Sequence, residues 1–377
     1  MEFDNPLRRQ VFSLPDLIRE QYKDLEPKIR ETLSTPEIYS IQRIVLTGCG
    51  DSYAAVYGMR YAFEELTGIR TEVVQTIELS RHYNKKYLGY APNNPLVIAV
   101  SNSGKVARLG EAIDRVNKYG AFSLGITGDP ESPVGTKSKR IVRMEIPKFE
   151  SAPGTRTYLV SLLALLLIAI RIGEVKGKFT MDTAKAYRKD ILAQADALED
   201  TLPAMDTEAL KTAKTWKDFP AFDFIGSGMD YATAWFGTAK VFEATGAFAA
   251  SVNTEEWLHL NFFMRDNERI GTVVVISKDN PALSRAKEVI AYARELGRPL
   301  MVITDGDEAD FNVPAVYCKV PKTELSFCGL LTQFTPLCLL MGYIQIMIGE
   351  RSGRGCEGPW SFSKGAACVR SSEIIIL

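Results

Sequence analysis

The chain has 377 residues, 46% of them hydrophobic and 24% charged, which suffices for two domains with substantial cores and excludes a disordered chain. A formal net charge of −1 leaves no basic footprint for nucleic acid or an anionic membrane surface. The cysteines at 49, 318, 328, 338, 356 and 368 form no CxxC pair and no metal-ligand spacing with histidine, so they read as the reduced thiols of a cytoplasmic protein.

The charged N-terminus, "MEFDNPLRRQ", has no signal-peptide core. The opening forty residues space apolar positions such as Leu14, Leu17 and Ile18 along one helix face. "RIVLTGCGDS" then predicts a strand running into glycines, and "YAAVYGMRYAFEELTG" a helix closed at Gly68. "TEVVQ" reads as a strand. "PLVIAVSNSGKVARLGEAIDRVNKYG" reads as strand, small-residue turn and helix, stopped at Gly120, and "FSLGITGDPESP" as a further strand and loop. The run "YLVSLLALLLIAI", Tyr158 to Ile170, lies between Arg156 and Arg171; it is too short to span a bilayer and predicts a helix buried in a core or subunit interface. Strands alternating with helices in this way predict an α/β fold with a parallel sheet covered on both faces.

The chain then repeats itself. "GCGDSYAAVYGMRYAFEELTG" (48–68) and "GSGMDYATAWFGTAKVFEATG" (226–246) are equal in length and share both opening glycines, a Tyr-Ala pair, a glutamate and the final Thr-Gly. Thr76 and Glu78 meet Thr254 and Glu256; "VIAVS" ending at Ser101 meets "VVVIS" ending at Ser277; "GIT" ending at Thr127 meets "VIT" ending at Thr304. One unit of about 150 residues is therefore expected twice, joined through the polar helical stretch 174–220 that contains Pro203 and Pro220.

Ligands of such folds bind where strands run into turns at the carboxyl end of the sheet. The turn "AVSNSGK" is the richest: Ser101, Asn102 and Ser103 offer hydroxyl and amide groups, Gly104 permits close backbone approach, and Lys105 adds a charge. Two readings stand here, a phosphate seated on free N–H groups at a helix start and a plain strand-to-helix turn capped by serine. The second copy has "ISKDNPA" instead, with Asp279 and Pro281, which favours a single phosphate site. Ser52 in "CGDS", and Thr155 and Arg156 in "PGTRT", are further candidates in the first copy. His259, in "TEEWLHLNFF", is one of two histidines; beside aromatics it is either an ordinary half-buried imidazole or an acid–base group. His82 reads as structural or surface.

The "GCGDS" turn, the "SNSG" loop and the duplicated α/β unit resemble the SIS (sugar isomerase) family, and the tandem arrangement is similar to the isomerase half of glucosamine-6-phosphate synthase and its shorter relatives. That resemblance implies two tandem SIS domains, each a parallel-sheet α-β-α sandwich of flavodoxin-like type. A helical segment over 1–40 would precede a first SIS domain over 41–178 with the phosphate-binding loop. A linker helix and second SIS domain with the acid–base residues would cover 179–350, and a tail 351–377.

The resemblance also implies roles. In the synthase pattern a K-x-x-E helix is followed, sixteen residues after its glutamate, by a histidine; here Lys240 and Glu243 of "AKVFE" are followed at that spacing by His259 of "EEWLH". Carried over, Glu243 moves the proton between C1 and C2, His259 opens the sugar ring from across a dimer interface, Lys240 supports the site, and Glu256 joins Gly50, Ser52, Ser101, Asn102, Ser103, Gly104, Lys105 and Thr155 in binding substrate and phosphate. Lys364 falls at the lysine position of the family's closing tail, with Trp360 where the pattern has arginine. Lys105 and Val106 replace Glu-Thr after the loop, and Leu258, Leu260 and Asn261 replace the family's residues around the histidine, which leaves the sugar open. The chain begins about where the sugar domains should, so a complete glutamine-dependent amidotransferase is not expected unless a separate subunit supplies ammonia. The implied function is a phosphosugar isomerase, deaminase or ammonia-dependent aminating isomerase. A fructosamine-6-phosphate deglycase and a non-catalytic sugar-phosphate sensor are the alternatives. Enolisation by a carboxylate and ring opening by a histidine need no metal or redox cofactor, so none is expected. The expected partners are a sugar-phosphate substrate and a second copy in a homodimer, with no nucleic acid and no membrane.

Overall fold

The computed structural model describes residues 3–89, 94–351 and 369–377. Three helices open the chain: α1 (Pro6–Phe12), α2 (Leu14–Thr32) and α3 (Thr35–Ser40). The first repeat follows as β1 (Ile44–Gly48), α4 (Asp51–Thr67), β2 (Thr71–Val73), β3 (Leu96–Val100), α5 (Ala107–Lys118), β4 (Phe122–Thr127), α6 (Pro133–Lys137), β5 (Arg140–Arg143) and α7 (Arg156–Val175). A 36-residue helix, α8 (Met181–Trp216), leads to the second repeat. This comprises β6 (Ala221–Ile225), α9 (Asp230–Ala244), β7 (Phe248–Val252), α10 (Thr254–His259), β8 (Ile270–Val275), α11 (Leu283–Glu295), β9 (Leu300–Thr304), β10 (Val316–Lys319) and α12 (Thr335–Met347).

Each repeat folds into a five-stranded, all-parallel sheet, in the order β2-β1-β3-β4-β5 in the first and β7-β6-β8-β9-β10 in the second. Counted along each repeat, both orders are 2-1-3-4-5, so the duplication extends to topology. The central strands β1, β3, β4, β8 and β9 are buried at every position, as expected of strands covered on both faces. Strand register corrects one sequence pairing. Thr47 lies opposite Ala99 and Gly48 opposite Val100, whereas Ile225 lies opposite Val274. With Gly48 matched to Gly226, Ser101 therefore corresponds to Ile276, and Asn102 to Ser277. In strands buried on both faces no polar alternation marks the slip.

By packing, the chain forms two units. One unit is Leu17–Lys148, Arg156–Leu192 and Ser361–Leu377; the other is Met1–Asp16, Phe149–Thr155 and Ala193–Trp360. The N-terminal helix joins the second repeat because Leu7 and Val11 are buried there and Arg8 donates to Asp206 (3.0 and 2.9 Å) and to the Tyr343 hydroxyl (3.1 Å). Gln10 donates to the Glu150 carbonyl at 2.9 Å and holds 149–155 to the same unit. Helix α7 is longer than the 158–170 run. It and Ser326–Met347 have the length and apolarity to cross a membrane, but 83% and 94% of their apolar windows are buried inside the protein, as in core helices. Each fully buried leucine of α7 contributes about 1.5–3 kcal/mol.

The last residues dock on the first repeat. Ile375 N–H donates to Glu111 Oε2 at 2.7 Å, and Arg108 donates to the Ser372 hydroxyl and to the Glu373 carbonyl (2.9 Å). Glu111 on α5 is fully buried between Arg81 (3.1 Å) and Arg108. Burial alone would raise its pKa; the two guanidiniums and the Ile375 amide outweigh it and hold the carboxyl at about 2. A depressed carboxyl pKa stabilises the fold fully above the ordinary value of 4.5, and that contribution is lost as pH falls toward 2. It amounts to on the order of 3 kcal/mol. Glu111→Gln should therefore melt well below wild type at pH 6, with the gap closing below pH ~3. A gap independent of pH in parallel thermal melts would contradict this assignment.

Candidate functional site

In a 2-1-3-4-5 sheet the chain reverses direction between the first and third strands, and ligands bind outside their carboxyl ends. In the first repeat this crevice is bordered by the turn after β1 and the turn after β3. The first turn passes through Gly50 at φ +58°, a conformation that favours glycine, and leads to Ser52 in the opening turn of α4. The second contains the serine loop. Ser101 N–H donates to the Ile126 carbonyl (3.0 Å), and its hydroxyl accepts the Gly104 N–H (3.1 Å). Gly104 has φ +64°, and a Cβ there would lie 1.8 Å from the Ser132 hydroxyl, so no other residue fits.

The loop's amides bear on the two sequence readings. Helix α5 begins after Val106 with no side-chain cap, so the serines do not cap it. The N–H groups of Asn102 and Ser103 donate to no acceptor among the described residues. A crevice-facing loop with two uncommitted amides and exposed Ser103 is suited to an oxyanion. Lys105 points its ammonium at Asp129 (3.3 Å), so part of its charge is answered locally. Gly50, Ser52, Ser101, Asn102, Ser103, Gly104 and Lys105 thus lie on two adjacent turns at one end of one sheet.

The second repeat carries the other candidates. On α9, Lys240 is fully buried, lies 4.6 Å from the centre of the Phe236 ring, and bonds Glu243 at 2.5 Å. Glu243 itself is 43% exposed, so the burial expected of a pKa-raised base is not supplied by this chain's described residues. The reason is geometric: three residues on from a buried lysine, Glu243 stands at the margin of the buried face of α9. His259 ends α10 and is 64% exposed, not half-buried. Its Nε2 lies 3.1 Å from Glu255 Oε1, and Glu255 is itself held by Arg285 at 2.6 and 2.7 Å. Sequence reasoning missed both. Glu255 lies four residues before His259, a helical pairing the sequence does signal, whereas Arg285 is reached only through the fold.

Beneath α10 lies a buried network, also missed. Arg298 donates to Asp223 Oδ2 (2.8 Å), to Asn267 Oδ1 (2.6 Å) and to the Asn261 carbonyl (2.8 Å). Trp257 Nε1–H donates to the same Asp223 oxygen at 3.2 Å, and Asn261 to the other at 3.2 Å. Residues on both sides of His259 are therefore tied to one buried ion pair, which orients the exposed imidazole from below. Asn253 caps α10 by accepting the N–H groups of Glu255 and Glu256 (3.0 and 2.9 Å), and the Glu256 side chain is exposed.

The remaining candidates separate. Thr155 is fully buried, with its hydroxyl toward the Pro153 carbonyl (3.0 Å) and the Cys338 sulfur (3.6 Å), a packing position in the second-repeat unit. His82 is exposed. Lys364 and Trp360 lie outside the described residues.

Comparison with known proteins agrees with this architecture. Residues 37–171 match the SIS domain family. Among curated relatives, the glutamine–fructose-6-phosphate aminotransferase (isomerizing) of Thermotoga maritima is 25% identical over 85% of this chain and 51% of its own length. That of Gloeobacter violaceus is 27% identical over 71% and 44%. The chain spans about half the length of the curated relatives it matches. Among solved structures, the C-terminal domain of glucosamine-fructose-6-phosphate aminotransferase from Francisella tularensis superposes with TM-score 0.78 at 19% identity, over 90% of this chain and 97% of that one. Tagatose-6-phosphate ketose/aldose isomerase from Escherichia coli gives 0.69 at 17% identity, over 91% and 93%. The chain thus carries a SIS-domain match over residues 37–171 within two tandem α/β repeats, and along most of its length it is similar in fold to the C-terminal domain of glucosamine-fructose-6-phosphate aminotransferase.

Proposed function

We propose that this protein is a cytoplasmic phosphosugar isomerase that acts on a ketose or aminosugar 6-phosphate by moving a proton between C1 and C2. The observation that carries the reading is the serine loop, where the Asn102 and Ser103 amides have no acceptor among the described residues at the crevice of the first sheet. A 6-phosphate seated there would accept both N–H groups and the Ser103 hydroxyl. Glu243 is the base: it takes the proton from C1 or C2 and returns it to the neighbouring carbon through an enediol. Lys240, a buried ammonium 2.5 Å away, holds the carboxylate in place. His259, aligned by Glu255, moves the ring-opening proton. Its exposure suits a group contributed to a second copy's site, so the active form is a homodimer.

A glucosamine-6-phosphate deaminase from Thermotoga maritima is among the solved structures of similar fold, and nitrogen release or addition at C2 would use the same enolisation. The test is proton NMR of fructose 6-phosphate with the purified protein in D₂O. Loss of a C1 proton signal is expected, whatever the natural product. No exchange, with sugar-phosphate binding retained, would refute the isomerase reading and favour a deglycase or a sensor.

A further inference from the structure

The second repeat builds the same crevice and fills it from within. The equivalence is visible in side-chain contacts: Cys49 Sγ donates to Thr76 Oγ1 at 3.2 Å, and Ser227 Oγ lies 2.8 Å from Thr254 Oγ1 at the matching positions. By strand register, the free amides of Asn102 and Ser103 correspond to those of Ser277 and Lys278. There, Ser277 N–H donates to Asp230 Oδ2 at 2.7 Å and Lys278 N–H to Asp305 Oδ1 at 2.7 Å. Asp230 occupies the position of Ser52, and Asp305 that of Gly128.

Asp230 is fully buried, and every partner it has among the described residues is a donor. Besides the Ser277 amide these are the Ser277 hydroxyl (2.8 Å), Asn280 Nδ2 (2.8 Å) and Gln333 Nε2 (2.7 Å). Both amide groups are locked in that orientation. Gln333 Oε1 accepts the Thr233 hydroxyl at 2.7 Å, and Asn280 Oδ1 accepts the Ala282 N–H at 2.8 Å. Donors from the β8 turn and from the segment before α12 thus converge on one spot that takes only an acceptor. Asp230 is also the first residue of α9, so the internal anion fixes the start of the helix bearing Lys240 and Glu243.

We propose that the carboxyl end of the second sheet is an oxyanion site of the same design as the first, permanently occupied by the chain's own Asp230 and Asp305 carboxylates, and that each chain consequently takes one external phosphate. This rests on the phosphate reading of the serine loop. Replacing both carboxylates by their first-repeat counterparts, Asp230→Ser with Asp305→Gly, uncovers the two amides to a tetrahedral oxyanion.

The probe is inorganic phosphate, titrated calorimetrically into wild type and into the double variant, with thermal melts alongside. The expected stoichiometry rises from one to two per chain, and phosphate raises the variant's melting temperature more than wild type's. A folded double variant that binds no more phosphate than wild type overturns the proposal. Wild type binding none and the variant one would refute the serine-loop reading, and with it the count of one external phosphate per chain, while the occupation of the second sheet end by Asp230 and Asp305 would stand. If the double variant does not fold in chloride, recovery of folded protein in phosphate supports the proposal. Failure in both salts passes the decision to Asp305→Gly alone, which must then gain phosphate binding over wild type; no gain overturns it.

Discussion

Arg298→Ala is expected to lower the unfolding free energy of the second repeat by about 3–5 kcal/mol. The side chains of Arg298 and Asp223 are 0% and 1% exposed, and the substitution leaves a carboxylate in a dry interior with only the Trp257 and Asn261 donors. Lysine is not a conservative replacement, because the guanidinium serves Asp223, Asn267 and the Asn261 carbonyl at once and an ammonium lacks that fork. The double substitution Arg298→Met with Asp223→Leu should recover most of the loss, since removing both charges removes the desolvation penalty. Urea unfolding of the four proteins gives the comparison. A loss under ~1 kcal/mol for Arg298→Ala would mean that water reaches the pair. Because the network ties both flanks of His259, the double variant is also expected to keep stability while losing activity.

Glu243→Gln should reduce the C1 proton exchange rate by about 10²–10⁴-fold or more, while phosphosugar binding changes little. The amide preserves shape and can still accept from Lys240, but it cannot take a proton from carbon. As Glu243 is 43% exposed, the change removes no core packing, so a melting temperature near that of wild type is expected alongside the lost turnover. Exchange that survives in a folded variant would move the base elsewhere. Equal loss of binding and turnover would instead give the Lys240–Glu243 pair a purely structural role.

Some of these features were open to inspection in the chain itself, and others only in the fold. The matched glycines at 48, 50, 226 and 228 mark strand-to-helix turns whose local backbone demands are independent of the rest of the molecule, so the duplication and both sheet ends were legible. The spacing of Lys240, Glu243 and His259 was legible only through its resemblance to the synthase pattern, because nothing local marks those residues as a group. The one-residue register slip between Ser101 and Ile276 was not, because those strands are buried on both faces and carry no alternation. Nor was the buried core of Arg298, Asp223 and Trp257, whose members come from three distant elements. The sequence by itself determined that one α/β unit occurs twice and that the serine loop belongs to only one copy. Only the tertiary structure decided which sheet end keeps its amides free. That depends on whether a carboxylate can reach them, and at Asp230 the donors that hold it there include Gln333, 103 residues away along the chain.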